Sequence, residues 1–294
     1  MHIFVVGATG VLGRALLPQL MQQGHTVRAL VRSAGKVEAL QHTGIEAIQG
    51  DLLAQEIAPR LPDMLDGCDA AIHIATAIPH NMASHAAWDT TTRLRTQGTQ
   101  LLLEAVFAAG VKRYVQQSIV MAYPDGGDSW LYENVPLDSS RERAIICAPV
   151  IAMEDMIRDV AHDQLQWCIL RGGNFVGPET IQDAQIAQLR AGQAIVPCDG
   201  SNFLSLIHVA NMATAVRMAV EFAPAGTIFN IVNEPIRNGD YLDRLASIIG
   251  AAQPQRDPNQ PCPPSHRCSN QAARIVLGWT PTHGIWPITE RHSS

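Results

Sequence analysis

Seven residues near the start of the chain, Gly7-Ala8-Thr9-Gly10-Val11-Leu12-Gly13, restrict the fold more than any other feature. They follow an apolar run over residues 2–6 and open a helix-like stretch over 11–23, with Val11, Ala15, Leu16 and Leu20 on its apolar side. In a strand–turn–helix unit of this kind one glycine permits the tight turn. A second lets backbone approach a pyrophosphate, and a third lets the helix lie against the strand. The N–H groups that open the helix then face the phosphates. Gly7, Thr9, Gly10, Val11, Leu12 and Gly13 are therefore expected to bind a dinucleotide.

The rest of the first half keeps the alternation. Strand-like runs at 26–31, 70–75, 113–117 and 167–171 are separated by helix-like stretches at 98–109 and 151–161. Buried apolar strands alternating with helices imply a parallel sheet covered on both faces, an α/β doubly wound fold. The second half reads as helices at 181–191, 211–221, 241–250 and 270–277, strands at 205–209 and 227–232, and a Pro-rich linker at 254–264. The expected division is a Rossmann core over 1–171 plus 205–233, with a smaller substrate lobe from 172–204 plus 234–294. Two long connections, 77–92 and 122–143, follow sheet strands and so belong at their carboxyl ends, where open α/β sheets bind ligands.

Composition excludes several classes. The 294 residues are 47% hydrophobic and 16% charged, enough apolar material for a buried core. A net charge of −6 without basic runs argues against nucleic acid. No apolar run reaches membrane-spanning length, and no leader is visible before the run that begins at His2, so a cytoplasmic, membrane-free protein is expected. The six cysteines (Cys68, Cys147, Cys168, Cys198, Cys262 and Cys268) lack CxxC spacing, and buried free thiols are the favoured reading. Cys262, His266 and Cys268 could supply three metal ligands, but no fourth is evident and no metal is expected.

The second strand ends Val31-Arg32-Ser33, with Lys36 nearby, and no acidic residue precedes Glu38. NAD sites commonly place an acidic residue here, on the ribose hydroxyls. A guanidinium suits a 2′-phosphate instead, so NADP(H) is preferred over NAD(H), with Arg32 as the discriminating residue.

At this point the chain resembles the extended and atypical short-chain dehydrogenases/reductases, in the NAD(P)-dependent epimerase/dehydratase group, over nearly its whole length. Besides the glycine loop, Gly50-Asp51-Leu52 resembles the segment whose Asp meets the adenine. Ile72-His73-Ile74-Ala75-Thr76 resembles the strand that passes the adenosine. Residues 170–178, Leu-Arg-Gly-Gly-Asn-Phe-Val-Gly-Pro, are similar to the family's LRPGNxYGP segment beside the nicotinamide. Ile207-His208-Val209 and Gly278-Trp279-Thr280-Pro281 resemble its IHVDD and GWxP segments. The resemblance implies that Asp51, Leu52, Ala75, Ser118, Gly173, Asn174 and Phe175 also border the cofactor. It further implies a small-molecule substrate in the cleft between core and lobe, and a homodimer.

The family's catalytic triad does not carry over. Its reductases use a Ser or Thr, a Tyr, and a Lys four residues after that Tyr, where the Lys tunes the phenol that moves a proton. The chain has only Lys36 and Lys112, and the residues four after its four tyrosines are Ser118, Gly127, Pro136 and Leu245. Counting back from Glu154, which matches the family's helix, Ile146 and Val150 stand where Tyr and Lys would be. Ile119 stands where the catalytic Ser would be, and Ser118 matches its neighbour. These apolar positions suit a fairly apolar substrate.

An oxidoreductase that reduces a carbonyl or enone without the triad is the favoured function, since hydride transfer is the cofactor's chemistry. Tyr123 and Ser118 are the candidate catalytic residues, with Tyr132, His80, His85 and Glu133 as further proton donors in the two long connections. A non-redox isomerase, cyclase or lyase on the same fold, or an NADP(H)-sensing binding protein, are the alternatives.

Overall fold

A computed structural model describes residues 1–77 and 85–287. Seven parallel strands form the central sheet: β1 (His2–Val6), β2 (Thr26–Val31), β3 (Glu46–Gln49), β4 (Ala70–His73), β5 (Arg113–Ile119), β7 (Gln166–Gly172) and β12 (Thr227–Ile231). Their spatial order is β3-β2-β1-β4-β5-β7-β12. The order reverses between β1 and β4, which pair from Ile3↔Ala70 to Val6↔His73. At such a switch point neighbouring crossovers leave on opposite faces and a crevice opens at the strand ends.

Period-2 alternation sends side chains of each strand to two separate cores. On one face Ile3, Val5, Val27 and Ala29 pack with Leu12, Leu16, Leu17 and Leu20 of α1 (Val11–Gln22) and with α8 (Val209–Phe222). On the other, Phe4, Val6 and Ala71 pack with α3 (Leu61–Leu65), α5 (Thr99–Ala108) and α6 (Ala144–Arg158). Each fully buried Leu or Ile contributes roughly 1.5–3 kcal/mol relative to exposure, so the two layers hold the strand ends in fixed relation.

A third, smaller core lies among elements that follow β7. It gathers Val176 of β8 (Asn174–Val176), Leu189 of α7 (Ile181–Arg190), Val196 of β9 (Ile195–Pro197), and Tyr241, Leu242 and Leu245 of α9 (Asn238–Ile249). Two expectations change here. The strand expected at 205–209 is β11 (Leu206–His208), which follows β10 (Phe203–Leu204) and pairs with β8 outside the central sheet. Of the two strands expected after residue 200, it is β12 that joins the central sheet. The connection 122–143 is also not wholly irregular, because β6 (Trp130–Leu131) pairs in parallel with Arg267–Cys268.

The cysteines divide as well. Cys198 and Cys262 are joined in a disulfide across 64 residues, which corrects the expectation of free thiols at both positions. Cys68, Cys147, Cys168 and Cys268 are free and buried. With Cys262 bonded to sulfur, the trio with His266 and Cys268 cannot coordinate as a set. Among the described residues no group of three or more His, Cys, Asp and Glu is placed to hold a metal.

Candidate functional site

The glycine loop sits at the carboxyl end of β1, and its three glycines have three separate structural reasons. Gly7 adopts φ +101°, and a Cβ there would lie 2.6 Å from the Ala75 backbone nitrogen, where the chain leaves β4. Only glycine combines that dihedral with that approach. A Cβ on Gly13 would fall 2.2 Å from the Ala8 carbonyl oxygen, so α1 rests directly on the loop. Gly10 is different: a Cβ there would meet nothing nearer than the Gly7 carbonyl oxygen at 3.4 Å. Gly10 is exposed, it opens α1, and no side chain caps the helix. The first-turn N–H groups, with Thr9 and Val11 half-buried beside them, form a cradle for an anion.

The loop is tied to the residues that follow β8. Arg14 donates through Nη1 to the Thr9 carbonyl at 2.7 Å and through Nη2 to the Glu179 carboxylate at 2.7 Å. Glu179 itself has a left-handed φ of +59°.

Other expected cofactor residues lie along the same edge. Arg32 is exposed immediately after β2, and Ser33 and Lys36 beside it are exposed too. Asp51 follows β3 and accepts the Leu53 N–H at 3.0 Å. Leu52 is buried and lies against Gly98, whose Cβ would be 2.9 Å from Leu52 Cδ2. Ala75 is half-buried next to Gly7. Asn174 and Phe175 are half-buried on β8. Gly173 is buried against Ser205, where a Cβ would fall 2.4 Å from the Ser205 carbonyl oxygen. Its missing side chain thus serves the β8–β11 junction rather than a ligand.

The expected catalytic hydroxyls lie in a closed network of buried hydrogen bonds. Ser118, at the end of β5, is 1% exposed and donates to Glu154 Oε1 at 2.6 Å. Tyr123 is 0% exposed, donates to Asn230 Oδ1 at 2.9 Å and accepts from Arg171 Nη1 at 2.7 Å. Burial drives its phenol well above the ordinary tyrosine range, outweighing the Arg171 charge. Glu133 is held in the same region: its Oε1 accepts the Asn230 N–H at 2.8 Å, and burial raises its carboxyl. Tyr132 is exposed. His80, and the side chain of His85, lie outside the described residues.

Ile146 and Val150 are on α6, facing the apolar core with Cys147 between them; Val150 is fully buried and Ile146 partly so. That core holds the phenol of Tyr114, which is buried and donates to Gln116 Oε1 at 2.6 Å, but positions 146 and 150 themselves carry only aliphatic side chains. A second buried cation, besides Arg171, approaches α6. Arg95, in the π-turn Leu94–Gly98 that packs on this helix, is 4% exposed and has an Nη1 with no hydrogen-bond partner. Sequence reasoning missed it. The available signal was that Arg93 and Arg95, two positions apart, cannot share one helix face.

The NAD dependent epimerase/dehydratase profile matches residues 3–232. The chain belongs to this family. A 3-diazoavenalumate denitrifying reductase from a Streptomyces species is 32% identical, over 97% of this chain and 98% of its own length. A 4-hydroxy-2-methyl-3-oxo-4-farnesyl-3,4-dihydroquinoline-1-oxide ketoreductase from Stigmatella aurantiaca is 28% identical, over 85% of this chain and 74% of its own. Among solved structures, the dTDP-glucose 4,6-dehydratase DesIV from Streptomyces venezuelae, with NAD bound, superposes with a TM-score of 0.80 at 21% identity. That match covers 97% of this chain and 93% of DesIV. A UDP-glucose 4-epimerase from Thermotoga maritima, with UDP-glucose, also gives 0.80 at 21% identity over 97% and 94%. The epimerase/dehydratase family member described here is thus an NAD(P)-dependent, oxidoreductase-like enzyme with the Rossmann fold. No helix among its described residues is long and apolar enough to cross a membrane.

Proposed function

We propose that this enzyme is an NADP(H)-dependent reductase whose reaction needs no proton from a tuned tyrosine. The observation that carries this reading is the pair Ile146 and Val150 on α6, together with the closed hydrogen bonding of Ser118 and Tyr123. A hydroxyl that is buried and already donating to a partner cannot follow a substrate oxygen through a reaction.

Reductive loss of a diazo group fits these limits better than reduction of a ketone. A bound reduced nicotinamide supplies hydride. In an aryl diazonium the C–H bond forms as the C–N bond breaks and the bond's electrons leave with neutral N₂, so no oxyanion needs a proton. The charge balances, since one cationic substrate gives one neutral arene and one oxidised nicotinamide. The reductase related to this chain along its whole length has a name that describes this class of chemistry. Carbonyl reduction, the broader expectation, would require a proton source that the described residues do not offer at the β5 end.

The chain's own residues supply binding and positioning. Gly10 and the uncapped start of α1 receive the pyrophosphate, with the helix dipole favouring negative charge. Arg32 receives the 2′-phosphate through charge-assisted hydrogen bonds. Ala75 and Phe175 line the crevice, while Ser118, locked to Glu154, shapes its floor. The apolar face of Ile146 excludes water from the reacting carbon, which protects a reactive cationic substrate from hydrolysis.

Calorimetric titration with NADPH, NADP⁺, NADH and NAD⁺ at fixed salt tests the cofactor assignment. Tighter binding of the phosphorylated pair supports Arg32 as its receptor. Equal affinity for both pairs would remove the 2′-phosphate assignment.

A further inference from the structure

We propose that Arg95 is the anion receptor of the substrate cleft, taking the carboxylate of an aromatic substrate. The assignment deepens the reading above and rests on the cleft being a substrate site.

The position comes from three residues spaced four apart. Thr91 in α4 (Asp89–Arg93) donates its hydroxyl to the Ala77 carbonyl and accepts the Ala77 N–H at 3.2 Å. Thr99, at the start of α5, lies with its hydroxyl 3.4 Å from His73 Nδ1, at the last residue of β4. Residues four apart in a helix lie on one face, about one turn from each other. Arg95 stands between Thr91 and Thr99, so it is about one turn above the end of β4, over the carboxyl edge of the sheet. All three residues are buried. On its other side the π-turn packs against α6, and the guanidinium neighbours Cys147, next to Ile146 and three residues before Val150. Arg95 therefore lies at the part of α6 where no tyrosine or lysine stands.

Its chemistry is incomplete. Among the described residues no carboxylate pairs with Arg95, and Nη1 is buried with no acceptor. By contrast Arg171, equally buried, has both Glu154 oxygens. Burial lowers the Arg95 pKa only to about 10, so it carries its charge at neutral pH. A buried cation without an anion costs stability, and such an arrangement persists where a ligand completes it. A π-turn at the same place is a common mark of functional sites in helices. Guanidinium is always charged and offers a planar fork that matches a carboxylate. The ligand that completes it is thus an anionic oxygen on a substrate whose remaining surface meets the half-buried Ile146.

The test compares acids with their methyl esters in full-length protein loaded with NADP⁺. Benzoate, 4-hydroxybenzoate and 4-hydroxycinnamate, each beside its ester, are titrated into wild type, Arg95→Met and Arg95→Lys. At least one acid should bind wild type about tenfold or more tighter than its ester. Arg95→Met should abolish that preference with a melting temperature equal to or above wild type, and Arg95→Lys should keep part of it. The assignment is overturned if no acid is preferred by wild type. It is equally overturned if Arg95→Met keeps the preference, or if Arg95→Met fails to fold, which would make the guanidinium structural. No turnover is involved, so the result stands apart from whether hydride reaches a diazo carbon.

Discussion

Arg171 and Glu154 form a two-pronged ion pair inside the protein, with Nη2 2.6 Å from Oε2 and Nε 3.0 Å from Oε1. Their side chains are 4% and 1% exposed. The pair joins β7 to α6 and holds Ser118 and Tyr123 as its hydrogen-bond partners. Breaking a buried pair by neutralising one member leaves an unpaired charge, at a cost of about 3–5 kcal/mol. Glu154→Gln should therefore lower stability by that order in urea unfolding. Ser118→Ala and Tyr123→Phe should each cost about 1 kcal/mol while turnover stays within a few-fold of wild type. A turnover loss of about 100-fold in either, typical of a removed acid–base group, would restore a catalytic role.

Gly10 and Gly13 should respond in opposite ways. Gly10→Val places a side chain in the open cradle, so the protein should keep its melting temperature and lose NADPH affinity by about tenfold or more. Gly13→Ala puts a Cβ 2.2 Å from the Ala8 oxygen. It should cost about 1–3 kcal/mol of stability, as overpacking does. Thermal melts with and without NADPH separate the two.

Much of this was legible in the chain itself, for physical reasons that also explain the failures. β1, β2, β4 and β7 are mostly apolar runs because both faces of an inner sheet are covered. The edge strand β3 shows only a mixed pattern, one residue in four being buried, and α2 (Ala34–Gln41) buries none of its residues, so neither left a clear period. β11 is apolar like a core strand, yet it pairs outside the sheet, a distinction that three residues do not carry. Tyr123 reads as a tyrosine in a loop at a ligand-binding edge. Only the fold shows that its hydroxyl is committed to Asn230 and Arg171. Cys198 and Cys262 are brought together by the pairing of Gln255–Asp257 with β9, across 64 residues that hold no spacing motif.

Arg32→Glu should weaken NADPH far more than NADH. Losing charge-assisted hydrogen bonds to a phosphate costs about 1.5–3 kcal/mol, or roughly 10- to 150-fold in affinity. Equal losses for both nucleotides, measured by calorimetry, would contradict a 2′-phosphate contact.

His73 gives a pH prediction. It is 1% exposed with Nε2 unpartnered, and burial lowers its pKa from 6.5 to about 4. The folded state resists protonation, so the unfolded chain binds the extra proton first. Stability is then full above about pH 6.5, falls as pH drops toward 4, and levels below that, a loss of about 3 kcal/mol from this group. His73→Gln should flatten that interval in urea unfolding measured from pH 7 to 4. An unchanged slope would assign the acid sensitivity elsewhere.

The Cys198–Cys262 disulfide closes a loop of 64 residues, and removing such a bridge costs about 2–4 kcal/mol. Cys198→Ser should lower the melting temperature under oxidising conditions and leave it unchanged under strong reductant. A drop of equal size in both would show that the serine itself, not the lost bridge, disturbs the fold.

Deuterium tracing tests the central claim most directly. NADPH carrying deuterium at the transferable position of C4 is mixed in ordinary water with the enzyme and an aryl diazonium acid, beside a no-protein control. The account predicts enzyme-dependent NADPH oxidation, one N₂ released per NADPH, and deuterium on the ring carbon that held nitrogen, in wild type and in Tyr123→Phe alike. NADPH oxidation no faster than the control, or hydrogen from water at that carbon, would contradict it.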